Sequence, residues 1–121
     1  MIHNQEQIHQ ARALICKASR IVAFSGAGIS TESGLADFRS QGGLWERYRI
    51  VTFQEFLACH ESRVEYWSMR RELIPGLLAA RPNPAHYALA KLEQTGQLRC
   101  VITQNIDGLH QSAGSQRVLL I

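Results

Sequence analysis

The sequence predicts an α/β domain in which a small parallel sheet carries helices on its faces. Two observations support this. Short apolar or β-branched runs at Ile21–Phe24 and Arg99–Thr103 each stop at a glycine-rich or amide-rich turn, and the residues between them repeat their apolar positions at helical spacing. Strands that alternate with helices imply parallel pairing, because a helical crossover returns the chain to the same end of the sheet.

The elements follow in order. Ile8, Ala11, Leu14, Ile15 and Ala18 recur at helical spacing, so residues 4–18 are expected as an amphipathic helix feeding a strand over Ile21, Val22, Ala23 and Phe24. Gly26 and Gly28 come next; glycine permits a sharp turn and lets backbone approach a ligand with no β-carbon between them. Ser30 is placed to cap a short helix over Thr31–Ser33 that Gly34 stops. From Ala36 to Ile50 there is little periodicity and a Gly-Gly pair, which reads as a mobile loop over a ligand site. Tyr66, Met69, Leu73 and Leu77 share one face of a helix, with Arg70, Arg71 and Glu72 expected on its solvated side. Asn83 and Pro84 start another helix, a cap followed by a proline whose missing amide costs nothing there, and Gly96 ends it. Arg99–Thr103 is then a strand, Ile106–Ala113 a short helix closed by Gly114, and Arg117–Ile121 a further strand.

Composition sets outer limits. The 121 residues, 45% of them hydrophobic, suit a single small domain over 1–121 that buries about two thirds of the surface exposed when unfolded. Net charge is +3, yet the basic residues are scattered, so no nucleic-acid partner is expected. No apolar run is long enough to span a membrane and the polar start MIHNQEQIHQ lacks the features of a secretory signal, so no membrane partner and a cytoplasmic location are expected. Cys16, Cys59 and Cys100 contain no CxxC and are expected as buried or half-buried small apolar side chains, with no metal site. His3, His9, His60 and His86 are expected on the surface or on helix faces.

Chemistry concentrates in two segments. GAGISTESGLADFRSQGGLW runs from Gly26 to Trp45, and TQNIDGLH from Thr103 to His110. The GxGxxG of hydride-transferring enzymes is met at Gly26 and Gly28 but not at Thr31. Gly34 is followed by Leu35 and Ala36, not by the lysine and hydroxyl of a phosphate-binding loop. Ligands of parallel doubly wound sheets sit beyond the carboxyl ends of the strands, so Ser25–Ser30 and Gln104–Asp107 are expected to meet at one crevice. Structural roles compete with this reading: Asp107 as a carboxylate at a helix N-terminus and Asn105 as a cap, each worth about 1 kcal/mol.

The blocks GAGIS, SG, ADFRS, GLW and TQNIDGLH, with RPNPAH at Arg81–His86 between them, resemble the signature of the sirtuins, NAD-dependent protein deacylases, and the likeness runs from Ile21 to about Val118. The resemblance implies a partial Rossmann-like parallel sheet flanked by helices, the family's large domain in truncated form. NAD is the implied cofactor and an acyl-lysine protein or peptide the implied partner. Gly26, Ala27, Gly28, Ile29, Ser30 and Thr31 would line its phosphates and ribose, Asp37, Phe38, Arg39 and Trp45 would belong to the loop over it, and Gln104, Asn105, Ile106 and Asp107 would shape the nicotinamide pocket. Family chemistry splits the bond between nicotinamide and ribose while the acyl-lysine carbonyl oxygen attacks the anomeric carbon. Asn105 and Asp107 are the catalytic candidates, orienting the leaving amide and stabilising the developing cation.

Other family features are missing. The base is a histidine of an HG pair shortly past the NID block, whereas His110 is the motif's own last residue and the sequence reaches Ile121 with no such pair. The family's structural zinc, held by two cysteine pairs, has no ligands here. The apolar ending Val118, Leu119, Leu120 and Ile121 leaves a strand edge unprotected. The expectation is therefore an incomplete N-terminal NAD-binding domain with impaired catalysis, the alternative being a non-catalytic module that holds NAD or ADP-ribose. The branch that removes acidic acyl groups carries a tyrosine three residues before an arginine. Here Trp67 stands three before Arg70 and Tyr66 four before, an imperfect match.

Overall fold

The computed structural model describes residues 5–37, 39 and 41–121, so His3 and Phe38, both singled out above, lie outside the described residues. The order of elements is α1 (Gln5–Lys17), β1 (Ile21–Ser25), a 3-10 helix (Ala27–Ser33), α2 (Leu44–Arg47), α3 (Phe53–Ala58), α4 (His60–Ala79), α5 (Pro84–Gln94), β2 (Leu98–Thr103), α6 (Leu109–Ser112) and β3 (Val118–Leu120). The three strands lie in the order β1-β2-β3 and both pairings are parallel. The α/β class and the parallel sheet are thus as expected.

The register matters most at the end of the sheet. Ser25 pairs with Thr103, and Gln104 N donates to Ser25 O at 3.2 Å, so the two chains leave their strands side by side. Successive strand residues point to opposite faces. Ser25, Val101 and Thr103 are buried on the face that meets α5. On the opposite face Phe24, Ile102 and Leu119 form one cross-strand row, in which Phe24 is 64% and Leu119 54% exposed. α1 buries no residue either.

Helix ends are built from side chains that reach backward. Asn83 Oδ1 accepts from Ala85 N at 3.0 Å and Asn83 N donates to His86 Nδ1 at 3.2 Å, a capping box with a histidine in the third position. A second box starts α3: Glu55 N donates to Thr52 Oγ1 at 3.2 Å and Thr52 N donates to Glu55 Oε2 at 2.8 Å. The amide and hydroxyl of Thr52, and then Arg49, push the Glu55 carboxyl down to about 2. The T-x-x-E spacing of Thr52 and Glu55 announces this helix, but apolar periodicity alone passes over it.

Several expectations are corrected. Ser30 is no cap: the 3-10 helix starts at Ala27 from Gly26, and Ser30 sits inside it, buried. The stretch 36–50 holds a helical turn, α2, set off from Gly43. The last helix begins only at Leu109, because Ile106 and Asp107 remain in the loop. Cys16 is exposed, whereas Cys59 and Cys100 are half-buried as expected.

Asn83 also reaches out of its own helix: its Nδ2 donates to Ile29 O at 2.7 Å and to Ser33 Oγ at 3.0 Å. The side chain therefore joins α5 to the 3-10 helix. Asn83→Ala is expected to lower stability by about 2–3 kcal/mol, the sum of a lost cap and lost buried hydrogen bonds. Urea unfolding at unchanged slope measures it.

Candidate functional site

Two segments far apart in sequence are joined by side chains where β1 and β2 end. Ser30 Oγ donates to Asp107 Oδ2 at 2.6 Å. Asn105 Nδ2 donates to Gly26 O at 3.0 Å and to Ser30 Oγ at 3.3 Å, while Asn105 N donates to Thr103 Oγ1 at 3.1 Å. Asn105 is therefore not a helix cap. Asp107 does fill the structural role the sequence left open, since its Oδ1 accepts from Leu109 N at 2.9 Å, at the start of α6.

Two adjoining cavities open at this seam. One, of about 350 Å³, has Ser30, Gln104, Asn105, Ile106 and Asp107 on one side. Across from them stand Leu35, Ala36, Leu44 and Trp45, together with Tyr66, Met69, Arg70, Leu73 and Leu77 of α4. The other, of about 330 Å³, is lined by Ala27, Gly28, Asp37, Arg39, Trp45 and Gln104. Ala27, Trp45 and Gln104 border both. One compartment is mostly apolar with a polar floor, and the other is polar.

The expected site residues divide accordingly. Ala27, Ser30, Trp45, Gln104, Asn105, Ile106 and Asp107 line the first cavity, and Gly28, Asp37 and Arg39 the second. Gly26 and Ile29 line neither, but their carbonyls accept from Asn105 and Asn83. Thr31 is exposed and its hydroxyl donates to Gly28 O at 3.0 Å. Arg70 departs from its expected solvated position: half-buried, it donates from Nε to Tyr66 Oη at 2.9 Å and lies over that ring at 5.3 Å.

The backbone at the glycines needs less freedom than their sequence suggests. Gly26 has φ −139° and ψ −167°, and Gly28 is not among the positive-φ glycines. A β-carbon on Gly28 would meet nothing within 4 Å among the described residues. Turning the chain does not demand glycine at either position.

Behind the seam the core is polar. His86 and His110 are 0% and 1% exposed, with ring centroids 5.0 Å apart at 62°. His86 was expected on a surface or helix face; its capping-box bond to Asn83 N instead holds it inside. His110 Nε2 lies 2.8 Å from Ser25 Oγ, which donates to Thr103 Oγ1 at 2.8 Å. Burial pushes both imidazoles below their ordinary range; His86 adds to this at His110, and Asp107 opposes it at both. Among the described residues no cluster of three or more His, Cys, Asp or Glu side chains is arranged to hold a metal, and no helix is long and apolar enough to cross a membrane.

The Sir2 family matches residues 26–121. The chain is 57% identical over 118 residues to the NAD-dependent protein deacetylase of Thermodesulfovibrio yellowstonii, covering 98% of this chain and 46% of that protein. It is 44% identical over 115 residues to NAD-dependent protein deacylase 2 of Archaeoglobus fulgidus, covering 95% and 45% respectively. The chain thus spans less than half the length of these relatives. Among solved structures, a Sir2 with deacetylated p53 peptide and 3'-O-acetyl ADP-ribose superposes with a TM-score of 0.83 at 39% identity, over 93% of this chain and 46% of that one. A Sir2 homolog–NAD complex superposes with a TM-score of 0.76 at 38% identity, over 93% and 44%.

The buried imidazoles make stability depend on pH. In the unfolded chain both take up protons as pH falls through about 6.5, whereas the folded chain resists because burial disfavours the charged rings. The unfolded state then binds more protons, so stability is full above about pH 7 and declines below it until the buried rings themselves titrate. Glu55, at about 2, ionises well below this window. The urea midpoint is expected to fall between pH 7.5 and 5, with a smaller fall in the double variant His86→Gln/His110→Gln; equal slopes would contradict this account.

Proposed function

This chain belongs to the Sir2 family, and from that premise we propose that it forms the NAD-binding site of an NAD-dependent protein deacylase, as a single incomplete domain over residues 1–121. The observation that carries the reading is the seam itself. Ser30, Asn105 and Asp107 are hydrogen-bonded across the ends of two parallel strands, beside a polar cavity and an apolar one that share a border. Strand ends of this kind are where dinucleotides bind.

The residues present fit the cofactor. In this reading Gly28 leaves room for the pyrophosphate and Arg39 supplies a cation to the polar compartment, which Gln104 and Trp45 separate from the nicotinamide end. Bound NAD supplies the labile bond between nicotinamide and ribose, and the anomeric carbon to which an acyl oxygen adds. Asp107 places a fixed negative charge beside the apolar cavity, and Ser30 and Leu109 N hold both of its oxygens in place, so little reorganisation is needed as positive charge develops. Asn105, anchored to Gly26 O and Ser30, orients the leaving amide. Met69, Leu73 and Leu77 give the acyl-lysine an apolar wall that excludes water. The Sir2 relatives bound to NAD and to a deacetylated peptide support this assignment.

A second reading, a module that holds NAD or ADP-ribose without turning it over, draws on one specific observation. Among the described residues no histidine lines either cavity, and the nearby pair is buried in the core. Nicotinamide release from NAD separates the two readings. Release that depends on an acetyl-lysine peptide supports the deacylase, and ADP-ribose binding without release supports the module.

Calorimetry with ADP-ribose tests the site itself. Gly28→Ala is expected to weaken binding by about tenfold or more, roughly 1.4 kcal/mol, with the urea midpoint unchanged because the added methyl meets no atom of the described residues. Wild-type protein that is folded and takes up no ADP-ribose, or equal affinity in the two proteins, would remove the basis of the assignment.

A further inference from the structure

We propose that His110 is a positioning residue for the cofactor site: as a neutral imidazole with its proton on Nε2, it sets the hydroxyl hydrogens of Ser25 and Thr103 and thereby fixes the backbone of Asn105. The proposal rests on the reading above and extends it to side chains that line neither cavity.

The donor and acceptor inventory favours one arrangement of the hydroxyl hydrogens over its reverse. Asn105 N donates to Thr103 Oγ1, and Ser25 Oγ donates its single hydrogen to the same oxygen. The Thr103 hydroxyl points its own hydrogen at Ser25 O, 3.4 Å away. Ser25 Oγ, its hydrogen already committed, is left as an acceptor at 2.8 Å from His110 Nε2. In the opposite arrangement Thr103 donates to Ser25, Ser25 donates to Nε2 and the His110 proton sits on Nδ1, where it is a buried N–H with no acceptor among the described residues; a proton on Nε2 leaves only a bare lone pair there and keeps the Thr103 bond to Ser25 O.

His86 reinforces the same state. Its Nδ1 accepts from Asn83 N, so in the neutral ring its proton is on Nε2. The ring stands edge-on to His110, and a second positive charge beside it is disfavoured. Among the described residues Asp107 is the one charged carboxylate that acts on both rings; on the strand side His110 meets the hydroxyl of Ser25, which is bonded in turn to that of Thr103. The chain of bonds runs from His110 through Ser25 and Thr103 to Asn105 N, while Asn105 Nδ2 spans to Gly26 and Ser30. Loss of the first bond frees the Ser25 hydroxyl to rotate away from Thr103. Asn105 N then loses a fixed acceptor at the floor of the cavity.

Amide hydrogen exchange of the whole chain tests this. His110→Phe keeps a ring and removes the donor, whereas His110→Gln keeps an N–H donor near the same place and cannot titrate. Exchange at Asn105 N is expected to rise by about tenfold or more in His110→Phe and to return towards wild type in His110→Gln. Val101 N, bound to Arg117 O at 2.9 Å, serves as the control for general loosening. ADP-ribose affinity is expected to follow Asn105 and not Val101. Equal acceleration at Asn105 and Val101, or no rescue by glutamine, would overturn the proposal. Should His110→Phe fail to fold, imidazole nitrogen shifts of the wild-type protein decide: protonation at Nε2 supports the proposal and protonation at Nδ1 ends it. Neither the exchange nor the nitrogen shifts needs cofactor, so a failure of ADP-ribose binding would count against the NAD site alone.

Discussion

The parallel pairing of β1 and β2 up to Ser25 and Thr103 is the constraint on which the rest of the molecule depends. Two parallel strands that stop at the same level release their chains in the same direction, and both chains must then find partners for backbone and side-chain polar groups without more sheet to supply them. Here each segment satisfies the other. Asn105 returns to Gly26 O, Asp107 to Ser30, and Gln104 N to Ser25 O. The residues suited to bind a charged ligand are therefore the same residues that close the protein's own hydrogen-bond accounts, which makes the site rigid before a ligand arrives.

That economy has an energetic side. Among the described residues the fully apolar core is small: Leu44, Ala90, Leu98, Val101 and Leu109 are its buried hydrophobic members. The largest fully buried side chains are instead two imidazoles. A polar core of this sort is stable only while its bonded groups keep their partners and its imidazoles stay uncharged. Its geometry is less forgiving than an apolar core, because a hydroxyl that rotates loses a bond outright, whereas a methyl that shifts loses only part of a contact.

Much of this arrangement was legible in the sequence. The strand of Ile21–Phe24, the Asn83-Pro84 helix start and the helix stop at Gly96 follow from local chemistry, and the meeting of the two segments follows from the rule for parallel sheets. The rest depends on tertiary partners that no local pattern reveals. Ser30 has the residue type of a cap, and only the arrival of Asp107 from far along the chain turns its hydroxyl inward. His86 reads as a helix-face residue because histidine is seldom the third residue of a capping box; its burial follows from the bond to Asn83. Arg70 sits among charged neighbours, yet its guanidinium lies over the Tyr66 ring at the cavity wall. At Gly28 the backbone does not need glycine's freedom to turn, a point that only the folded chain reveals.

The uncovered side of the sheet bears on the cleft in a different way. Phe24, Ile102 and Leu119 form a continuous oily stripe, and each large side chain that is fully covered there gains about 1.5–3 kcal/mol. Phe24 immediately precedes Ser25, and Ile102 immediately precedes Thr103. Any layer that settles on this stripe, from the same polypeptide or another, therefore clamps the two strand ends from behind. Cover on the reverse of the sheet would in this way order the strand ends that border the proposed dinucleotide cleft.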